Sequence, residues 1–288
     1  MQIFSRRIVQ DAFLNMQRRT CVAVKKFVKI GMVVIFALLW SNAASAQMVL
    51  YDDFHTGSID PTKWAGAADD QYTLEVLREI AAVPGVPKAK QLHLYERSYA
   101  PITDNNGTSG SGLGLSFANP SAVTAISFTL VVNKLSVGAC NSNQNDGDVI
   151  AQFIGNFFNT DSPPTTQDHD VVSDIDIEHN LCSGCGGPRV TARVALQDGT
   201  PIFWQVLGTP TLKSPNTLFL QWDQPNHQFI FQLNNGPQVF APYSVSDTSP
   251  PYYPSKQLNL LNLVPDCTSI PRPYGTLDAD IQDVYVNQ

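Results

Sequence analysis

Residues 174–178 read Asp174-Ile175-Asp176-Ile177-Glu178. In an extended chain successive side chains point to opposite faces, so the three carboxylates share one face and the two isoleucines the other. Like charges repeated along one strand face repel and raise at least one pKa. The row therefore calls for a ligand, a bound cation or acid–base chemistry to offset the repulsion, or else for a face fully open to water. Asp174, Asp176 and Glu178 are the candidate catalytic residues.

A sugar-handling site would also need aromatic rings, because pyranose rings present C–H faces that stack on indole and phenol. Tyr95, Tyr99 and Trp204 are the candidate ligand-binding residues, with Trp222 beside them, while Trp64, Phe153, Phe157, Phe231 and Trp222 itself have the size and context of core residues. Other chemistries lack their residues. His93, His169, His179 and His227 do not fall at metal-ligand spacing, and the chain has no G-x-S-x-G, Walker or dinucleotide-binding glycine pattern. Arg78 and Arg97 each lie near a glutamate in a strand-like run, which suits cross-strand ion pairs.

The elements that must position these residues read as short runs rich in Val, Ile, Phe and Thr, separated by Gly, Pro, Asn and Asp clusters. A dozen strands are expected, among them 149–158, 171–179, 189–196, 217–222 and 228–233, and no amphipathic helix stands out. Asn234-Asn235-Gly236 is a tight-turn signal, and Asp223-Gln224-Pro225-Asn226 joins two strands as a short hairpin. Without crossover helices the sheets are antiparallel, which leaves a sandwich, a jelly roll or a barrel.

Residues 1–46 read as a signal peptide. Arg6, Arg7, Arg18, Arg19, Lys25, Lys26 and Lys29 form a basic leader, residues 30–40 an apolar core too short to span a bilayer, and Ala44-Ser45-Ala46 a cleavage site, with Met16 as a second candidate start. Removing the leader takes seven of 18 basic and one of 25 acidic residues, which leaves 11 against 24 and a net charge near −13. Such a surface disfavours nucleic acid and anionic membranes and suits neutral partners such as a polysaccharide or oligosaccharide. The remaining 47–288 reads as one domain, long enough to bury a core without staples. Its four cysteines, Cys140, Cys182, Cys185 and Cys267, are an even number in an exported chain and allow three pairings. A Cys182–Cys185 clip across the Ser183-Gly184 turn, with a Cys140–Cys267 bridge, has the edge.

Tyr51-Asp52-Asp53-Phe54, followed by Gly57-Ser58-Ile59-Asp60 and Lys63-Trp64, resembles the opening of the concanavalin A-like lectin and glucanase superfamily. The runs 217–222 and 229–236 are similar to its tryptophan-centred strand pair, and 280–286 to its closing strand. The resemblance implies an all-β fold, a concanavalin A-like jelly-roll sandwich of two antiparallel sheets. It also implies a structural Ca²⁺ near the chain ends, for which Asp52, Asp53 and Asp283 are candidates; no other cofactor is required. Within that superfamily Asp174-Ile-Asp-Ile-Glu178 resembles the E-x-D-x-E strand of family-16 glycoside hydrolases. Carried over residue by residue, Asp174 is the nucleophile, Asp176 the assisting carboxylate and Glu178 the general acid/base. The first position departs from the family glutamate, and no tryptophan precedes the motif. Shortening that side chain retracts its carboxylate by about 1.5 Å, in a chemistry that wants the carboxyl groups roughly 5–5.5 Å apart. The expected function is thus an exported carbohydrate-binding protein that uses its concave sheet with little or no turnover. A family-16-like endo-β-glycosidase is the alternative, and a structural or protein-interaction sandwich the second.

Overall fold

The computed structural model describes residues 47–66, 73–99, 107–143, 145–182, 185–268 and 270–287; the leader and its cleavage site lie outside the described residues. Among the described residues fifteen strands run in chain order. The first five are β1 (Met48–Asp52), β2 (Trp64–Gly66), β3 (Thr73–Ala82), β4 (Lys90–Tyr99) and β5 (Thr108–Phe117). Next come β6 (Ala125–Val137), β7 (Asp148–Asn159), β8 (Asp170–Asn180), β9 (Arg189–Leu196) and β10 (Pro201–Gly208). The last are β11 (Asn216–Asp223), β12 (Gln228–Leu233), β13 (Val239–Pro242), β14 (Lys256–Pro265) and β15 (Tyr274–Asn287). The only helical pieces among the described residues are three single 3₁₀ turns.

These strands form two antiparallel sheets that pack face to face as a jelly-roll sandwich. One has eight strands, ordered β13-β12-β11-β6-β15-β4-β3 with β1 added on β15; the other has seven, ordered β10-β9-β8-β7-β14-β5-β2. Period-two alternation puts one side of every strand into a single core. Leu92 and Leu94 of β4, Phe128 and Leu130 of β6, Leu218 and Leu220 of β11 and Phe229 and Phe231 of β12 supply it from the larger sheet. Phe153 of β7, Ile175 and Ile177 of β8, Val190 and Val194 of β9 and Leu258 and Leu260 of β14 supply it from the smaller.

The opening segment is fixed by its own polar pairs. Trp64 Nε1 donates to Asp52 Oδ2 at 2.7 Å and the Phe54 amide to Asp52 Oδ1 at 2.9 Å. Tyr51, Phe54 and Phe117 pack round the same indole. The hairpin expected between β11 and β12 forms through a 3₁₀ turn at Gln224–Asn226, with His227 at φ 49°, and Asn234 takes φ 53° at the far end of β12. Disulfides join Cys140 to Cys267 and Cys182 to Cys185.

Candidate functional site

Strand β8 is an interior strand of the seven-stranded sheet, between β9 and β7. Its isoleucines enter the core, and Asp174, Asp176 and Glu178 lie on the outward face, as the alternation predicts. The face is not wet: the three residues are 0, 4 and 3 % exposed. Strand β9 covers the cost. The antiparallel register sets Arg193 opposite Asp174, Thr191 opposite Asp176 and Arg189 opposite Glu178. Arg193 Nε donates to Asp174 Oδ2 at 2.7 Å, with Nη2 on the same oxygen. Thr191 Oγ1 is 2.8 Å from Asp176 Oδ1, and Arg189 Nε donates to Glu178 Oε1 at 2.5 Å. On the other side β7 contributes Asp148, Ile150, Gln152 and Ile154 to the same face, and Asp148 Oδ2 accepts from Asn180 Nδ2 at 3.0 Å.

Four buried carboxyl groups thus face two guanidinium groups. Burial raises the pKa of all four, because a low-dielectric setting disfavours the charged form. Asp148 and Asp176 go well above the ordinary range, since the neighbouring Glu178 charge adds to burial. Asp174 and Glu178 are raised by burial but held down by Arg193 and Arg189 respectively. The arrangement reaches neutrality when Asp148 and Asp176 keep protons and the other two form ion pairs. A carboxylate held by a guanidinium is a poor proton donor and a poorly free nucleophile.

The aromatic candidates do not converge. Trp204 of β10 pairs with Arg193 across the strand edge, half-buried on the acidic row's face, and the Arg189 guanidinium carbon lies 5.4 Å from its ring centroid. Tyr95 and Tyr99 are on the outward face of the other sheet, since the alternate β4 residues Leu92 and Leu94 fill the core. The expectation of one cleft holding all three is therefore corrected: strand parity sends the two tyrosines to the opposite side of the sandwich. There Tyr95 donates to Glu75 at 3.0 Å, and Tyr99 and Tyr274 flank Arg97. Trp222 packs partly buried against the core, stacked on Phe158, and also lines a pocket at one end of the molecule, with its Nε1 donating to the Tyr243 hydroxyl at 2.7 Å.

Two of the three calcium candidates have hydrogen-bond partners. Asp52 spends both oxygens on Trp64 and Phe54, Asp53 accepts from the His55 amide, and Asp283 stands exposed at a bulge of β15 with φ 45°. No group of three His, Cys, Asp or Glu residues is placed to hold a metal among the described residues. The residues that sequence reasoning overlooked are Arg189 and Arg193. Their signal was present: Arg189-x-Thr191-x-Arg193 has the same four-residue spacing as the acidic row, one hairpin later.

No family model matches the chain, and no curated protein matches it. Among solved structures it is similar to a β-1,3-glucanase from Mycobacterium marinum, at 12 % identity and a TM-score of 0.38, covering 82 % of this chain and 97 % of that one. It is similar to the lectin UEA-II complexed with galactose, at 12 % identity and a TM-score of 0.34, covering 77 % and 95 %. It is also similar to the carbohydrate-binding module CBM66 from Bacillus subtilis, at 11 % identity and a TM-score of 0.32, covering 78 % and 96 %. Likenesses of this degree carry no argument about ligand or activity.

Proposed function

We propose that the protein is an exported carbohydrate-binding sandwich that holds a neutral polysaccharide or oligosaccharide at the Trp204 edge of its seven-stranded sheet, beside the buried acidic row, without turning it over. The observation that carries this reading is the double use of Arg189. It is bonded to Glu178 and lies against the Trp204 ring. One guanidinium thus withdraws the acid/base candidate from chemistry and steadies an indole at the sheet edge, where a pyranose face can stack. Arg193 withdraws the nucleophile candidate Asp174 in the same way. The acidic overall charge favours a neutral glycan over a polyanion, and two disulfides fit an oxidising compartment.

The test is retention on a panel of β-glucans, agar, carrageenan and xylan, together with a reducing-end assay of each supernatant. Retention without new reducing ends, weakened about tenfold in Trp204→Ala and kept in Tyr99→Ala, is the expected result. Reducing ends that disappear in Glu178→Ala would replace this reading with a family-16-like endo-β-glycosidase. No retention on any polymer would leave a structural or protein-interaction sandwich.

A further inference from the structure

The end of the sandwich holds a second arrangement that the carbohydrate reading does not use. Lys256, the first residue of β14, points to the core side two positions before Leu258 and is only 2 % exposed. Its stem passes over Gly155 of β7, where a Cβ would come within 2.5 Å of Lys256 Cγ, so only glycine leaves the lysine this path. The Nζ donates to the backbone carbonyls of Pro120 and Asn156, each at 2.9 Å, and lies 4.5 Å from the centroid of the Phe157 ring.

What Lys256 lacks is a counter-charge. Asp247 shares its surroundings, but Asp247 Oδ2 accepts from the Tyr243 hydroxyl at 2.7 Å and lies 3.0 Å from His227 Nδ1. Asp170 of β8, on the loop side, is engaged by the amides of Tyr252 and Tyr253 and by Asn156 and Asn159. None of these carboxylates offsets the lysine: burial alone acts on it and lowers its pKa to about 7. A buried ammonium without an anion is costly, and carbonyl dipoles and an aromatic face repay only part of that cost.

The same lysine lines an open pocket of about 190 Å³. That is roughly six water volumes at about 30 Å³ each. Phe157 and Trp222 give the pocket apolar walls, Ser121, Thr124, Gln224 and Thr248 give it polar ones, and Asp247, held by Tyr243 and His227, lines it as its one carboxylate. The position and the unmet charge go together: an anionic group entering the pocket meets the one buried cation there, with hydroxyls and an amide for its other polar atoms. A ring or short chain with C–H faces meets the two aromatic residues.

We propose that this pocket binds a small carboxylate, no larger than a single uronic-acid residue, with Lys256 supplying the counter-charge and Trp222 the apolar wall. Such a group comes either from a free small acid or from the end of a uronate-bearing glycan. The site is separate from the Trp204 face, and its failure would leave the carbohydrate reading intact.

The experiment is a calorimetric titration of the purified protein at pH 6.5 with D-glucuronate, a glucuronate trimer and neutral D-glucose, in two buffers of different ionisation enthalpy. Tryptophan fluorescence is followed in parallel. Glucuronate saturates one site and glucose does not. Binding takes up protons and weakens about tenfold per pH unit above pH 7, as the lysine loses its proton. His227 contacts Asp247, which lines the pocket, so His227→Gln is run as a control and keeps the proton uptake. Thr248→Trp, at an exposed residue on the rim, plugs the pocket without touching Lys256 and abolishes binding; Lys256→Met does the same from within. A trimer that binds no better than the monomer assigns a free small acid, and a tighter trimer assigns a chain end. The proposal is overturned by equal binding of glucose and glucuronate, by glucuronate binding that survives Thr248→Trp, or by no saturable binding at millimolar ligand.

Discussion

Two regions of this sandwich bury charge, and they do so in opposite ways. On β8 and the adjoining β7 four carboxyl groups meet two arginines and a threonine, and burial beside the Glu178 charge pushes the pKa of Asp148 and Asp176 well above the ordinary carboxylate range. At the end of the molecule Lys256 is equally buried but has carbonyls and a ring in place of an anion, and it opens on a pocket. The first region is closed by its own partners; in the second the lysine is bonded to carbonyls, and the nearby Asp247 is bonded to Tyr243 and His227 instead. Burial alone therefore does not mark a functional group. What separates a structural charge from one available to a ligand is whether neighbouring strands already supply its partner.

The largest effect that would break this comparison lies in the closed region. Arg193→Met leaves Asp174 buried beside other carboxyl groups and is expected to cost about 3–5 kcal/mol in urea unfolding at pH 7. A loss within the surface range would mean that the pair is not sealed. Next comes the open region, read through its pH slope. The folded pKa of Lys256, about 7, lies below that of the unfolded chain, so between about pH 7 and 10 the unfolded state binds more protons and stability rises with pH. The wild type is expected to gain about 1.4 kcal/mol per pH unit relative to Lys256→Met in that window. Parallel stability curves for the two proteins would contradict it.

Asp176 has the opposite sign. Its folded pKa is raised, so above the ordinary carboxylate range the folded state holds the proton that the unfolded state has lost, and stability falls as pH rises through that interval. Asp176→Asn keeps a hydrogen-bonding group opposite Thr191 and removes the ionisation. It is expected to flatten the decline and to raise the melting temperature at pH 8 relative to the wild type. The smallest effect on stability falls on Trp204, at an edge strand. Trp204→Ala is expected to change unfolding by about 1 kcal/mol or less while weakening glycan retention by about tenfold.

Much of this architecture was legible in the sequence. Period-two runs at 149–158, 171–179 and 217–222 lie inside β7, β8 and β11, and the 189–196 run coincides with β9. The three-residue β2 and the four-residue β13 are too short to show a period. The face of β8 was legible too, because parity is a local property. Its burial was not, since that depends on which strand lies beside it and in what register; the matching spacing of Arg189 and Arg193 becomes meaningful only once β9 is known to pair with β8. The same limit separated Tyr95 and Tyr99 from Trp204, three aromatic residues of like chemistry on opposite faces. Lys256 gave no local signal, because its setting is assembled from β7, β14 and two loops.

The most direct measurement of the closed cluster is a carboxyl-carbon NMR titration of Asp174, Asp176 and Glu178 in the intact protein. Asp176 should keep its proton well above the ordinary carboxylate range, with Asp174 and Glu178 ionising before it against Arg193 and Arg189. Three carboxyl groups titrating together within the ordinary range would show an open, wet face, and the account of a sealed structural row would be wrong.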